Sequence, residues 1–172
     1  MDRERTVAEI IRRMMEYNRQ DPKRINHALK VYAYAKTLGL LEGLQEEGQL
    51  VLEAAAVLHD IGIHEAQRQY NSDAGRYQEL EGPIVARKLL KDGILEEAVL
   101  DRVCYLIGHH HSYKKVDDAV FQMLVEADFM VNAEEMDMDK HARQTINQKY
   151  IRTETGKWMF HLLRKESVEE KK

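Results

Sequence analysis

Apolar residues recur along the chain at helical rather than alternating spacing. Over 3–18, Val7, Ile10, Ile11, Met14 and Met15 gather on one face of a first helix. Asp21 then offers an N-cap with Pro22 just inside the next helix, over 22–38, which Gly39 is placed to close. A polar connector, 41–48, leads to a helix over 49–60 that is apolar nearly all round, with Glu53 as the one interruption. Such a helix is buried at the centre of a fold, and it is far too short to cross a bilayer. The stretch 63–80 has no clean period and reads as a long loop, the kind that serves as a functional lid. Five further helices are predicted over 82–91, 96–109, 118–131, 139–150 and 155–165, with a frayed charged tail at 166–172. The pattern predicts an all-α protein: one domain spanning 1–172, an orthogonal bundle of seven or eight helices.

Composition narrows the partners. The 172 residues suffice for one domain with a core. Two prolines and nine glycines are few for a turn-rich β protein. The formal net charge is −4, and lysines and arginines are scattered without a basic block, so no nucleic acid polymer is expected as a partner. A small anionic substrate remains compatible, because a pocket can be positive on an acidic protein. The single cysteine, Cys104, excludes an intrachain disulfide and fits a reducing cytoplasm. The first eleven residues lack the apolar run of a signal peptide, and no run of eighteen apolar residues exists, so a cytoplasmic protein without a membrane span is expected.

Candidate chemistry begins at His59-Asp60, where the most apolar helix ends. An imidazole beside an ionised carboxylate is costly to bury without compensation, and a divalent cation compensates both. A plain His–carboxylate hydrogen bond would also account for the pair. Two more positions bear on the choice. His27 shares an inward stripe with Val31, Tyr34 and Leu38, and Asp128 sits inside an apolar helical run from Leu124 to Val131. Carboxylates are almost never buried unpaired. Gly62 is placed to let the chain turn away after the pair.

His27, then His59-Asp60, then Asp128 resembles the H…HD…D signature of the HD-domain superfamily, with the resemblance spanning 22–132. It extends to the run into Leu58-His59-Asp60-Ile61-Gly62 and to Glu126-Ala127-Asp128. The resemblance implies an all-helical, metal-dependent phosphohydrolase in which His27, His59, Asp60 and Asp128 chelate one divalent ion. Mn, Mg, Fe, Ni and Co are not distinguished. Members with two ions use two additional histidines. Ile107-Gly108-His109-His110-His111 resembles one of those segments, which makes His110 and His111 candidate ligands. Glu81-Gly82-Pro83 resembles the other, with Glu81 standing where a histidine is expected. Glu81 is therefore either an oxygen ligand or a general base. Asp60 is expected both to hold the ion and to orient the attacking water.

Lys114 and Lys115 after the triple histidine, and Arg24 one turn before His27, fit either a solvated surface or a phosphate clamp. Arg68 and Arg76 are similar candidates. His64 and Glu65 would begin the lid, His141 and His161 would lie on the surface, and Glu134, Glu135 and Asp137 would form a solvated acidic patch. The expected substrate is a small phosphorylated molecule, with nucleotides among the candidates. Two other functions stand beside hydrolysis: a di-iron HD-fold oxygenase and a non-catalytic metal- or nucleotide-binding regulator. Oligomeric state is not set by the sequence.

Overall fold

The computed structural model describes residues 2–163. The expected tail at 166–172 and the end of the last predicted helix lie outside them. The architecture is all-helical: nine α-helices and one 3-10 turn, with no strand among the described residues. They are α1 (Arg3–Tyr17), α2 (Pro22–Leu41), α3 (Glu46–Leu58), α4 (Ile63–Tyr70), α5 (Gly75–Leu89), α6 (Glu97–Ile107), the 3-10 turn (Tyr113–Lys115), α7 (Ala119–Glu135), α8 (Lys140–Tyr150) and α9 (Glu154–Leu162).

Short polar side chains start most of these helices by accepting from backbone N–H groups that have no helical partner. Asp2 accepts from Arg5, Asp21 from Arg24, Asp118 from Phe121, Asp139 from Ala142 and Thr153 from Gly156. Pro22 occupies the first turn of α2, where its missing N–H costs nothing. α2 does not stop at Gly39 as the sequence suggests. It runs on to Leu41, and the left-handed residue that ends it is Gly43, at φ +76°. Gly39 serves packing instead: a Cβ there would come within 2.2 Å of Gln49 Oε1 on α3.

α3 is the hub. Every residue from Val51 to Leu58 is buried, and α3 packs against α1, α2, α6 and α7. α7 is the second central helix, buried from Phe121 to Asp128 and packed on α2 and α3. Its Glu126 is fully buried and accepts from the backbone N–H groups of Arg152 and Thr153 and from the Thr153 hydroxyl, which anchors the entry to α9.

The stretch 63–80 is where sequence and structure part. It is not a loop: α4 fills its first half and α5 begins at Gly75. Pro83, expected near a helix start, lies inside α5. No helix of the described residues is long and apolar enough to cross a membrane.

Candidate metal centre

α3 ends at Leu58, and the turn His59-Asp60-Ile61-Gly62 carries the chain into α4. Gly62 has an ordinary φ of −79°, so its role is not conformational freedom. α5 crosses so closely that a Cβ at Gly62 would meet Gly82 N at 2.5 Å and Gln78 O at 2.7 Å. This crossing fixes the turn that presents His59 and Asp60.

Four side chains from two helices and this turn converge. His27 Nε2 lies 3.1 Å from His59 Nε2, 3.4 Å from Asp60 Oδ2 and 3.3 Å from Asp128 Oδ1. His59 Nε2 lies 3.5 Å from each of the same carboxylate oxygens. A cation with donors at about 2.0–2.2 Å keeps neighbouring donors about 3.0–3.5 Å apart in tetrahedral or octahedral arrangement. The observed spacings are of that size.

The outer nitrogens of the rings settle which way the lone pairs face. His59 Nδ1 donates to Ala56 O at 2.8 Å, His110 Nδ1 to Ile107 O at 2.8 Å, and His27 Nδ1 to Glu135 Oε2 at 2.8 Å. All three acceptors lack a proton to give, so each Nδ1 carries the hydrogen and each ring, when neutral, bares its Nε2 lone pair inward. Two such lone pairs 3.1 Å apart repel unless a proton or a cation lies between them. Asn132 Nδ2 donates to Asp128 Oδ1 at 2.8 Å and steadies that carboxylate.

Asp60 faces two ways. Its Oδ2 joins the first group of donors, while Oδ1 lies 3.4 Å from His110 Nε2. His110 is buried and its Nε2 has no hydrogen-bond partner among the described residues, so a buried lone pair is left aimed at the shared carboxylate. Asp60, His110 and His111 form a second set of donors close enough to hold an ion, beside the set formed by His27, His59 and Asp60. The mixed imidazole and carboxylate donors fit a divalent transition metal in either place.

Charge balance follows from this packing. Burial drives the His59 imidazole towards neutrality, but the Asp60 carboxylate and the bond to Asp128 outweigh it and push the ring up to about 9. Burial likewise disfavours the Asp60 and Asp128 carboxylates, yet the imidazoles around them hold both below the usual carboxylate range. His111 is pushed down to about 4 by burial and by neighbouring His110.

A pH dependence follows for protein kept in chelator. A ring whose folded pKa is raised stabilises the fold fully below its unfolded value, about 6.5, and that contribution is lost as pH rises through about 9. The melting temperature of the chelated protein is expected to fall across that window. His59→Asn should flatten the fall, as thermal unfolding at a series of pH values will show. An equal slope in both proteins would refute the assignment of the proton to His59.

The remaining candidate residues divide. His111 Nε2 lies 3.1 Å from Gln78 Oε1, and the Gln78 amide is oriented by donating to Asp73 O. His111 thus spends its Nε2–H on an amide oxygen. Gln78 escapes a sequence reading because it does not titrate and falls in the stretch read as loop. Glu81, one turn further along α5, is buried but accepts from the Tyr70 hydroxyl at 3.0 Å and stands outside both donor sets. Glu81→Gln is accordingly expected to leave metal stoichiometry unchanged, as elemental analysis will show; a drop from two ions to one would restore Glu81 as a ligand.

Lys114 and Lys115 are exposed on the 3-10 turn, whose Tyr113 ring packs 5.2 Å from that of Phe129, the neighbour of Asp128. Arg24 is half-buried on α2. His64 pairs with Asp21 at 3.1 Å, and His141 and His161 are exposed. Glu135 departs from the expected solvated patch, since it holds His27. Asn132 and Glu135 follow Asp128 by four and seven residues, the spacing of one helical stripe, and that was the available signal.

No curated protein and no solved structure matches the chain. The HD domain profile matches residues 24–153, a span that contains every donor described above. The chain belongs to the HD-domain family.

Proposed function

We propose that the protein is a metal-dependent phosphohydrolase that cleaves a phosphate ester or anhydride of a small molecule, with nucleotides among the candidate substrates. The observation that carries this reading is the convergence of His27 Nε2, His59 Nε2, Asp60 Oδ2 and Asp128 Oδ1 at mutual distances suited to one divalent ion. When bound, such an ion supplies Lewis acidity towards a phosphoryl oxygen and lowers the pKa of a coordinated water.

The chain's own groups do the rest. His27, His59, Asp60 and Asp128 hold the ion, with their rings fixed by the acceptors on Nδ1. Asp60 orients the attacking water as well, since its second oxygen faces His110. The free Nε2 of His110 is a proton acceptor for that water or a donor to a second ion. Lys114, Lys115 and Arg24 are assigned to the phosphate oxygens, where fixed cations neutralise developing charge. Asp60 retains some exposure, 18% of its side chain, which leaves a route for substrate to the shared carboxylate.

Hydrolysis is favoured over a di-iron oxygenase by Glu81, which stands where binuclear members carry a histidine, accepts from the Tyr70 hydroxyl and lies outside both donor sets. The test is a panel of phosphate esters and anhydrides assayed with and without added divalent metal. Metal-dependent release of phosphate is the expected result. Turnover indifferent to chelation, or no turnover with any phosphate beside oxygen consumption by an iron-loaded protein, would contradict the reading.

A further inference from the structure

The acceptors that fix the three site histidines are not equivalent. His59 caps α3 and His110 follows α6 by two positions past its C-cap, Gly108. Each therefore donates to a carbonyl of the last helical turn, Ala56 O or Ile107 O, which has no helical partner to lose. His27 lies in the middle of α2, where backbone carbonyls are already taken by the helix. No carbonyl of α2 takes its Nδ1–H, and the acceptor comes from another element. α7 supplies it: Glu135 Oε2 accepts from His27 Nδ1 at 2.8 Å, across 108 residues of sequence. The other oxygen, Oε1, is held by Lys30 Nζ at 3.4 Å, one turn along α2 from His27.

We propose that Glu135 is a positioning residue of the metal centre: its carboxylate locks His27 in the tautomer that bares Nε2 and raises the basicity of that nitrogen, strengthening its bond to a divalent cation. The proposal rests on the reading of the cluster as a metal site. α7 then serves the centre with one stripe, in which Asp128 binds the ion, Asn132 steadies Asp128 at 2.8 Å and Glu135 steadies a ligand of the neighbouring helix. His27 alone among the three histidines has an anionic acceptor. Its Nδ1 proton is drawn outward more strongly than those of His59 and His110. The Glu135 side chain is 23% exposed, so replacing it disturbs little packing.

Co²⁺ titration of metal-free protein tests this, read by calorimetry and by the visible absorption of the bound ion. Glu135→Ala is expected to weaken Co²⁺ binding by about 10–100-fold and to change the shape of the absorption envelope. Glu135→Gln should fall between the two, because its amide oxygen still accepts the Nδ1–H but carries no charge. The melting temperature of the metal-free variants should stay at the wild-type value. Nitrogen-15 NMR at a pH where the rings are neutral should show the His27 proton on Nδ1 in wild type and shared between both nitrogens in Glu135→Ala. Wild-type affinity in Glu135→Ala would overturn the inference, as would a loss of affinity matched by a loss of metal-free stability. A wild-type protein that binds no Co²⁺ at all would instead sink the metal-site reading, and this inference with it.

Discussion

Asp60→Ala is expected to abolish binding of divalent cations and, with it, hydrolysis. Asp60 is the one side chain common to both donor sets, with Oδ2 among His27, His59 and Asp128 and Oδ1 towards His110. Its loss leaves imidazoles facing one another with Asp128 as the one carboxylate remaining on their Nε2 side. Removing one partner from a buried, mutually compensating charge cluster also costs about 3–5 kcal/mol of folding stability. Elemental analysis of the purified variant should find no stoichiometric metal. Added Co²⁺ should no longer raise its melting temperature. Full occupancy in Asp60→Ala would remove the basis for the whole site.

Gly62→Ala is expected to damage stability and site together. The obstacles to a Cβ there are backbone atoms of α5, Gly82 N at 2.5 Å and Gln78 O at 2.7 Å, and backbone cannot rotate aside as a side chain can. α5 must move off the turn. Forced overpacking of this kind costs about 1–3 kcal/mol and sometimes more, or about 2–12 °C in melting temperature for a chain of this length. Displacing α5 also withdraws Gln78 from His111, and shifting the turn re-aims His59 and Asp60. Co²⁺ affinity should therefore fall along with stability. At Gly82 the nearest atom is a methyl group, Ile107 Cγ2 at 2.5 Å, so Gly82→Ala should be the milder change. A Gly62→Ala protein that melts and binds metal like wild type would show that the α5 crossing does not hold the turn.

Much of this arrangement was legible because it follows from burial and helical spacing. His27 stood on an apolar stripe, Asp128 within an apolar run, and His59-Asp60 at the end of a helix too apolar to be anywhere but the centre. Asp21 before Pro22 marked the start of the second helix, and it caps there. α4 was hidden because only Ile63 and Ala66 of its eight residues are buried, too few to print a period. α5 was truncated in the reading because Gly82-Pro83 looks like punctuation. In the fold, Gly82 is there for the crossing with Gly62, and the helix runs through Pro83.

Once α5 was shortened, Gln78 could not be placed, and Glu81 was read at a helix start when it lies inside α5. Glu135 was lost for another reason. A glutamate beside Glu134 at a helix end reads as solvated, and only its distance of seven residues from Asp128 hints at a shared face. Supporting residues of this kind are chosen by where a ligand's far side points, which depends on the packing of α2 against α7 and not on local sequence.

The most direct test of the central claim is a crystal structure of the Co²⁺-loaded protein, with the ion located by its anomalous scattering. The account predicts an anomalous peak coordinated by His27 Nε2, His59 Nε2, Asp60 and Asp128, at about 2.0–2.3 Å from each donor. A loaded crystal whose cobalt lies away from these four residues, with His27 and His59 bonded only to carboxylates, would contradict it.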